Sequence, residues 1–319
     1  MICMSDVNAR TTAFITGTPW QDWSARPLAG DASNRRYLRL TGPDGASVIL
    51  MDADPAKGEA VAPFVAIAEW LCANGLSAPR ILLSDMPRGL LLIDDLGPQT
   101  IAEAANAVAE DQLYDAAVDV LIALDGMIAP PDLARMTPDV GADMVAITAQ
   151  TYHACDPAPL VAAVRDTLRA FAPDADRMAL RDYHAENLIW RPERTGLDRI
   201  GLLDFQDAFI APRGYDLASL LRDIRRPVSA AQVTRQLARF AAATNTDPAA
   251  FGAQVATLGA QRNLRILGVF ARLVANGKPR YAAFLPAVWD ALMCDLDHPA
   301  LQNLRRAVVA NLPPPQDRP

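Results

Sequence analysis

With 319 residues, about half of them apolar, the chain is long enough to bury two hydrophobic cores. Thirty Lys and Arg against 37 Asp and Glu leave a formal charge of -7. No cluster of basic residues stands out, and this excludes a broad nucleic-acid face. No apolar run reaches the ~18 residues of a membrane span, and the opening MICMSDVNAR lacks the apolar region of an export signal, so a soluble cytoplasmic protein is expected. Cys3, Cys72, Cys155 and Cys294 lack metal-finger or CxxC spacing and read as reduced, mostly buried thiols.

In chain order, the first third is written in short runs rich in Val, Ile, Leu and Tyr. RRYLRL (35–40), ASVILMD (46–52), RILLSD (80–85) and GLLLID (89–94) predict strands. TGPDG (41–45) predicts the hairpin turn joining the first two, because Gly and Asp supply positive φ. AVAPFVAIAEWLCANG (60–75) repeats its apolar residues at helical spacing and stops on Gly75. A small sheet with one helix packed on it follows for residues 1–94. After DDLGPQ (94–99) the Ala- and Leu-rich 3.6-residue period predominates: 100–128, much of 139–170 and most of 229–311 predict helices. The exception lies around 179–210, where NLIW (187–190) and RIGLLDF (199–205) predict a hairpin joined by RPERTGLD.

That hairpin gives LRDYHAENLIW (180–190) a chemical meaning. Asp182 and Asn187 lie five residues apart on the turn entering the first strand, and Asp204 ends the partner strand. A hairpin brings its strand ends together, so Asn187 and Asp204 are expected to converge, with Asp182 beside them. Two oxygen donors are what Mg²⁺ takes from a protein when substrate phosphates and water complete its shell. A neighbouring carboxylate accepts the proton of an attacking hydroxyl. Together these are the parts of a phosphoryl-transfer site. His184 is expected to hydrogen-bond the loop and fix its shape, Glu186 to be exposed, and Asp216 to anchor its helix to the catalytic loop.

RDYHAEN, LLDFQD and GYDLASLLRD (181–187, 202–207, 214–223) resemble the catalytic region of the aminoglycoside phosphotransferase family. Within that family, GDASNRRYLRL, LMDADP and LLIDDLG are similar to the anomeric sugar kinases of N-acetylmuramate and N-acetylglucosamine. The resemblance covers about residues 25–225. It implies an α+β, bilobal protein-kinase-like fold: an N-terminal nucleotide-binding lobe (1–94), a hinge (95–98) and a helical catalytic and acceptor-binding lobe (99–319). It also implies ATP and Mg²⁺, a small-molecule sugar acceptor, no nucleic-acid or membrane partner, and a monomer.

Carried over by residue, Asp182 matches the catalytic base, and Asn187 and Asp204 the metal ligands. Ser33 and Asn34 match the turn that covers the ATP phosphates, and Asp94, Asp95 and Leu96 the segment whose backbone holds adenine. Three departures stand out. Met51 or Asp52 occupies the position of the phosphate-binding lysine of protein kinases, which leaves Arg36 or Lys57 as the candidate cation. Leu180 stands where many relatives have a histidine. Asp207 either approaches a second metal or the sugar, or caps its turn. Competing readings are an aminoglycoside or other alcohol phosphotransferase and a non-catalytic nucleotide-binding protein of the same fold.

Overall fold

The computed structural model describes residues 9–28 and 34–317. Its elements run α1 (Ala9–Ile15), β1 (Ser24–Pro27), β2 (Arg36–Thr41), β3 (Ser47–Asp52), α2 (Ala62–Ala73), β4 (Ile81–Asp85) and β5 (Leu90–Asp94). Next come α3 (Ile101–Ala104), α4 (Glu110–Asp125), α5 (Pro138–Asp143), α6 (Ala158–Phe171) and β6 (Ala175–Ala179). The chain then forms β7 (Leu188–Trp190), β8 (Ile200–Leu202), β9 (Phe209–Pro212) and α7 (Tyr215–Leu221). It ends in α8 (Ala230–Ala243), α9 (Pro248–Ala275), α10 (Leu285–Leu296) and α11 (Gln302–Asn311). Two compact units result: Met1–Thr100 with Leu188–Asp207, and Ile101–Asn187 with Ala208–Pro319.

The first unit is built on an antiparallel sheet ordered β1-β2-β3-β5-β4. Because side chains alternate along a strand, β2 sends Leu38 and Leu40 to one face, where they pack with Val48, Leu50, Leu90 and Leu92 against Phe14 and Ile15 of α1. Ile49, Met51, Leu91 and Ile93 are buried on the opposite face, so the two central strands read as continuous apolar runs. α2 buries Phe64, Ile67, Ala68 and Leu71, an i, i+3, i+4, i+7 stripe. α1 and β1 were not expected: seven residues with two threonines are too short for a helical period to declare itself.

The β7–β8 hairpin groups with this unit. Ser77 O accepts from Leu202 N at 2.8 Å, and Gln99 O accepts from Trp190 N at 2.8 Å. Phe205 stacks on Phe64 with ring centroids 5.0 Å apart. The hairpin is therefore tied at both ends to the segments that flank the sheet.

The second unit is mainly helical, with one short antiparallel pair, β6–β9, that brackets residues 180–208. The expected helix over 100–128 is interrupted between α3 and α4. Pro248 at the first turn and the Asp247 carboxylate, which accepts from Ala250 N at 2.8 Å, start α9, and its 28 residues run about 42 Å. The residues before α6 form a π-helical turn, Thr148–Tyr152, pressed against α9: Thr151 Oγ1 donates to Gly268 O at 2.7 Å. Among the described residues no helix is long and apolar enough to cross a membrane. Cys72 and Cys155 are half-buried and Cys294 is exposed, all as free thiols, so the expectation of mostly buried cysteines is corrected. Cys3 lies outside the described residues.

A Cβ added at Gly268 would sit 2.7 Å from Thr148 N and 2.8 Å from the Ile147 carbonyl carbon. Backbone cannot yield there as a side-chain tip can. Gly268→Ala should therefore destabilise the protein by about 1–3 kcal/mol, the usual cost of overpacking, measured by urea denaturation. An unchanged midpoint would show that α9 and the π turn separate freely.

Candidate active site

In the second unit the loop after β6 holds Asp182, His184 and Asn187. Its entry is strained: Arg181 has φ +76°, which L side chains rarely adopt. The strain is held from two elements. From α7, the buried Asp216 carboxylate accepts from Leu180 N at 2.6 Å and Arg181 N at 2.9 Å. From α9, Arg262 Nη1 donates to Arg181 O at 2.7 Å, while Nη2 donates to Ser219 Oγ and the guanidinium lies 4.7 Å from the Tyr215 ring centroid. Leu180, which departs from the histidine of the family pattern, is buried and contributes its amide. The support comes from Asp216 and Arg262 instead.

Further along the loop, Tyr183 Oη donates to Ala117 O at 2.8 Å, and Asp223 accepts from Ala185 N at 3.1 Å. Asn187 Nδ2 donates to Asp182 O at 2.9 Å and faces His184 Nε2 at 3.2 Å. Arg225 Nη1 also faces that nitrogen, at 3.4 Å. Two donors aimed at Nε2 require its lone pair, so the ring is neutral with its proton on Nδ1. Burial, then Arg225 and Arg262, push the His184 pKa down to about 3, in agreement. His184 thus helps to orient the Asn187 amide, whose Nδ2 is shared between this ring nitrogen and the Asp182 carbonyl. Glu186 is exposed and pairs with Arg225 at 2.9 Å.

In the first unit, Asp204 follows β8 in a left-handed turn with φ +57°. Leu202 and Phe205 are anchored on either side, which leaves the Asp204 carboxylate exposed, accepting from Gln206 Nε2 at 2.7 Å. Asp207, three residues on, is exposed as well. Tyr37 of β2 faces the same region: burial raises its pKa against the pull of Arg35, and the Asp204 charge adds to the rise.

The other expected nucleotide residues have definite partners. Asn34 is exposed, its amide N donating to Glu59 Oε1 at 2.9 Å and its Nδ2 to Lys57 O at 3.4 Å. Ser33 lies outside the described residues. Arg36, opposite Asp52 in the β2–β3 register, pairs with it at 2.5 Å on the face of Leu38, away from Tyr37. Arg10 of α1 takes the second Asp52 oxygen at 3.2 Å. Arg36 is therefore committed within the sheet, and the Lys57 side chain is exposed. Asp94 pairs with Arg80 at 2.5 Å, and Asp95 gathers Arg39 at 2.6 Å, Ser47 Oγ at 2.8 Å and Gly97 N at 3.0 Å. Both carboxylates stiffen 94–97, and Leu96 packs on Gly201 of the hairpin.

Asn187, at the end of its segment of the second unit, and Asp204, in the first, each carry a hard side-chain oxygen, the donor type that Mg²⁺ prefers. Among the described residues no group of three or more His, Cys, Asp or Glu could hold a metal. Arg262 and Asp223 escaped the reading of the sequence. The signal for Arg262 was present in Gln261, Arg262 and Asn263, three polar residues buried in the middle of an otherwise Ala- and Leu-rich helix.

Burial pushes Asp216 up to about 6, against the two amides and Arg262. At pH 7 it is anionic and serves both amides; protonation below about pH 6 withdraws an acceptor from the strained turn. We expect kcat/KM to fall on the acid side with a midpoint near 6, and Asp216→Asn to lose about 10- to 100-fold at pH 7.5 and to lack that limb. His184 stays neutral through this range, so an acid limb that persists in Asp216→Asn would reject the assignment. Arg262→Met should lower kcat by a similar factor in steady-state assays, because the Arg181 carbonyl loses its donor.

Residues 24–252 match the model of the phosphotransferase enzyme family. The chain is 37% identical to the N-acetylmuramate/N-acetylglucosamine kinase of Caulobacter vibrioides, covering 96% of each protein. It is 32% identical to the kinase of the same name from Pseudomonas aeruginosa, covering 82% of this chain and 80% of that one. Among solved structures, a choline/ethanolamine kinase family protein from Mesorhizobium loti superposes with a TM-score of 0.66 at 16% identity, over 96% of this chain and 99% of that one. The α+β fold is thus the kinase-like one that the sequence resemblance implied, and the chain belongs to the phosphotransferase enzyme family.

Proposed function

We propose that this protein is an ATP-dependent sugar kinase that transfers the γ-phosphate to the anomeric hydroxyl of N-acetylmuramate or N-acetylglucosamine. The observation that carries the reading is similarity to two kinases of that name over 80% or more of each chain, together with a loop bearing Asp182, His184 and Asn187 whose entry is held by Asp216 and Arg262. It acts on small molecules in the cytoplasm as a monomer, with no nucleic-acid or membrane partner.

Asp182 is the base. The acceptor oxygen forms a bond to the γ-phosphorus as the bond to the bridging oxygen of ADP breaks, and the hydroxyl proton passes to the Asp182 carboxylate. A hemiacetal hydroxyl is more acidic than an ordinary alcohol, which lightens the task of a weak base. Asn187 and Asp204 would hold Mg²⁺, whose chemistry is to neutralise charge on the phosphates. His184 keeps the Asn187 amide turned, Asp216 and Arg262 keep Asp182 in register, and the backbone of 94–97 takes the adenine. Asn34 and the adjoining Ser33 belong to the phosphate-covering turn, whereas Arg36 is assigned to the sheet.

Asp182→Asn should lower turnover by about 10²- to 10⁴-fold with nucleotide affinity kept, read by coupled assay and calorimetry. Asp204→Ala should instead abolish Mg²⁺-dependent ATP binding. An acceptor panel followed by phosphorus NMR tests the substrate class: an acid-labile sugar 1-phosphate supports the proposal. Transfer only to aminoglycosides, or nucleotide binding without transfer, would replace it.

A further inference from the structure

α9 grips the catalytic loop through Arg262, and the next residue on that face, one turn on, is Arg265. Arg265 is half-buried. The groups acting on it come from three elements: Arg262 on its own helix, Arg181 and Asp182 on the loop, and Tyr215 on α7. Its guanidinium therefore stands in the neighbourhood of Asp182 with two other arginines.

What separates Arg265 from its neighbours is its lack of a matching oxygen. Arg222 pairs with Asp295 at 2.6 Å, Arg225 with Glu186 at 2.9 Å, and Arg262 has the Arg181 carbonyl and the Ser219 hydroxyl. No hydrogen bond or ion pair holds Arg265 among the described residues. Burial and the positive charges of Arg181 and Arg262 both act against its own charge, and Asp182 and Tyr215 oppose them. A half-buried guanidinium crowded by like charges, beside a carboxylate whose task is to receive a proton, is a place where a ligand anion would be bound.

The two sugars of the proposed reaction differ in one ionisable group. N-acetylmuramate carries a lactyl ether ending in a carboxylate, and N-acetylglucosamine has a hydroxyl in its place. We propose that Arg265 is the carboxylate-reading residue of the acceptor site, binding the lactyl group of N-acetylmuramate while the anomeric hydroxyl of the same ring lies at Asp182. This inference rests on the sugar-kinase reading and adds to it a preference for the acidic sugar. Arg181, whose backbone is fixed by Asp216 and Arg262, adds positive charge at the same place.

The test compares N-acetylmuramate, its methyl ester and N-acetylglucosamine as acceptors for the unmodified protein, Arg265→Gln and Arg265→Lys. The unmodified protein should favour the acid over the ester by about 10- to 100-fold in kcat/KM, mainly through KM, as a charge-assisted hydrogen bond would give. Arg265→Gln should erase that ratio, and Arg265→Lys should keep part of it. Equal use of acid and ester by the unmodified protein would overturn the assignment, as would a parallel loss for all three acceptors in Arg265→Gln. If Arg265→Gln does not fold, the acid-to-ester ratio of the unmodified protein decides. Transfer to none of the three sugars would overturn the sugar-kinase reading itself, whereas transfer without carboxylate preference overturns the Arg265 assignment alone.

Discussion

The loop of residues 180–187 depends on one buried carboxylate. Asp216 takes the amides of Leu180 and Arg181 at the point where the backbone turns left-handed, and Asp182 follows directly. A non-glycine residue in that region costs about 1–3 kcal/mol, while a hydrogen bond to a charged group returns about 1.5–3. Two such bonds, with Arg262 on the next carbonyl, outweigh the strain and hold the turn in one conformation. The cost is displaced onto Asp216, whose burial works against its own ionisation. The loop is thus rigid for an electrostatic reason, and its rigidity is sensitive to proton activity.

Much of this was legible in the sequence because the informative residues are local. Four strands and α2 lie close to where alternation and helical spacing put them, and the β7–β8 hairpin that separates Asp182 and Asn187 from Asp204 forms where the sequence places it. What could not be read depends on distant parts of the chain. Asp52 meets Arg10 of α1 on one oxygen and Arg36 of the neighbouring strand on the other, and neither pairing has a local signature. Arg262 supports a loop some eighty residues earlier, and only the polar interruption of an apolar helix hints at it. β6 and β9 are short strands whose apolar content could equally belong to a loop or a helix end.

Arginine carries most of the positive charge here, and most of it is spent internally. Asp52, Asp94, Asp95, Glu186 and Asp295 each hold a guanidinium, so much of the chain's basic charge is neutralised within the frame. Arg supplies several donors in a planar fork, and a frame of this kind is better served by it than by Lys. A half-buried cation without such a partner then becomes informative, because Arg222, Arg225 and Arg262 are each engaged.

The β7–β8 hairpin carries a consequence for the order in which the protein can be made. It belongs to the first compact unit although it is encoded after the first segment of the second, Ile101–Asn187. A nascent chain of a hundred residues has the five-stranded sheet in hand but lacks the strands that cap Ser77 and Gln99. That unit stays unfinished until residue 207 has left the ribosome. The two units must mature in an interleaved order, with the apolar residues beneath the absent hairpin exposed in the meantime, and a cell making this protein has an interval of vulnerability that a sequentially arranged chain would avoid.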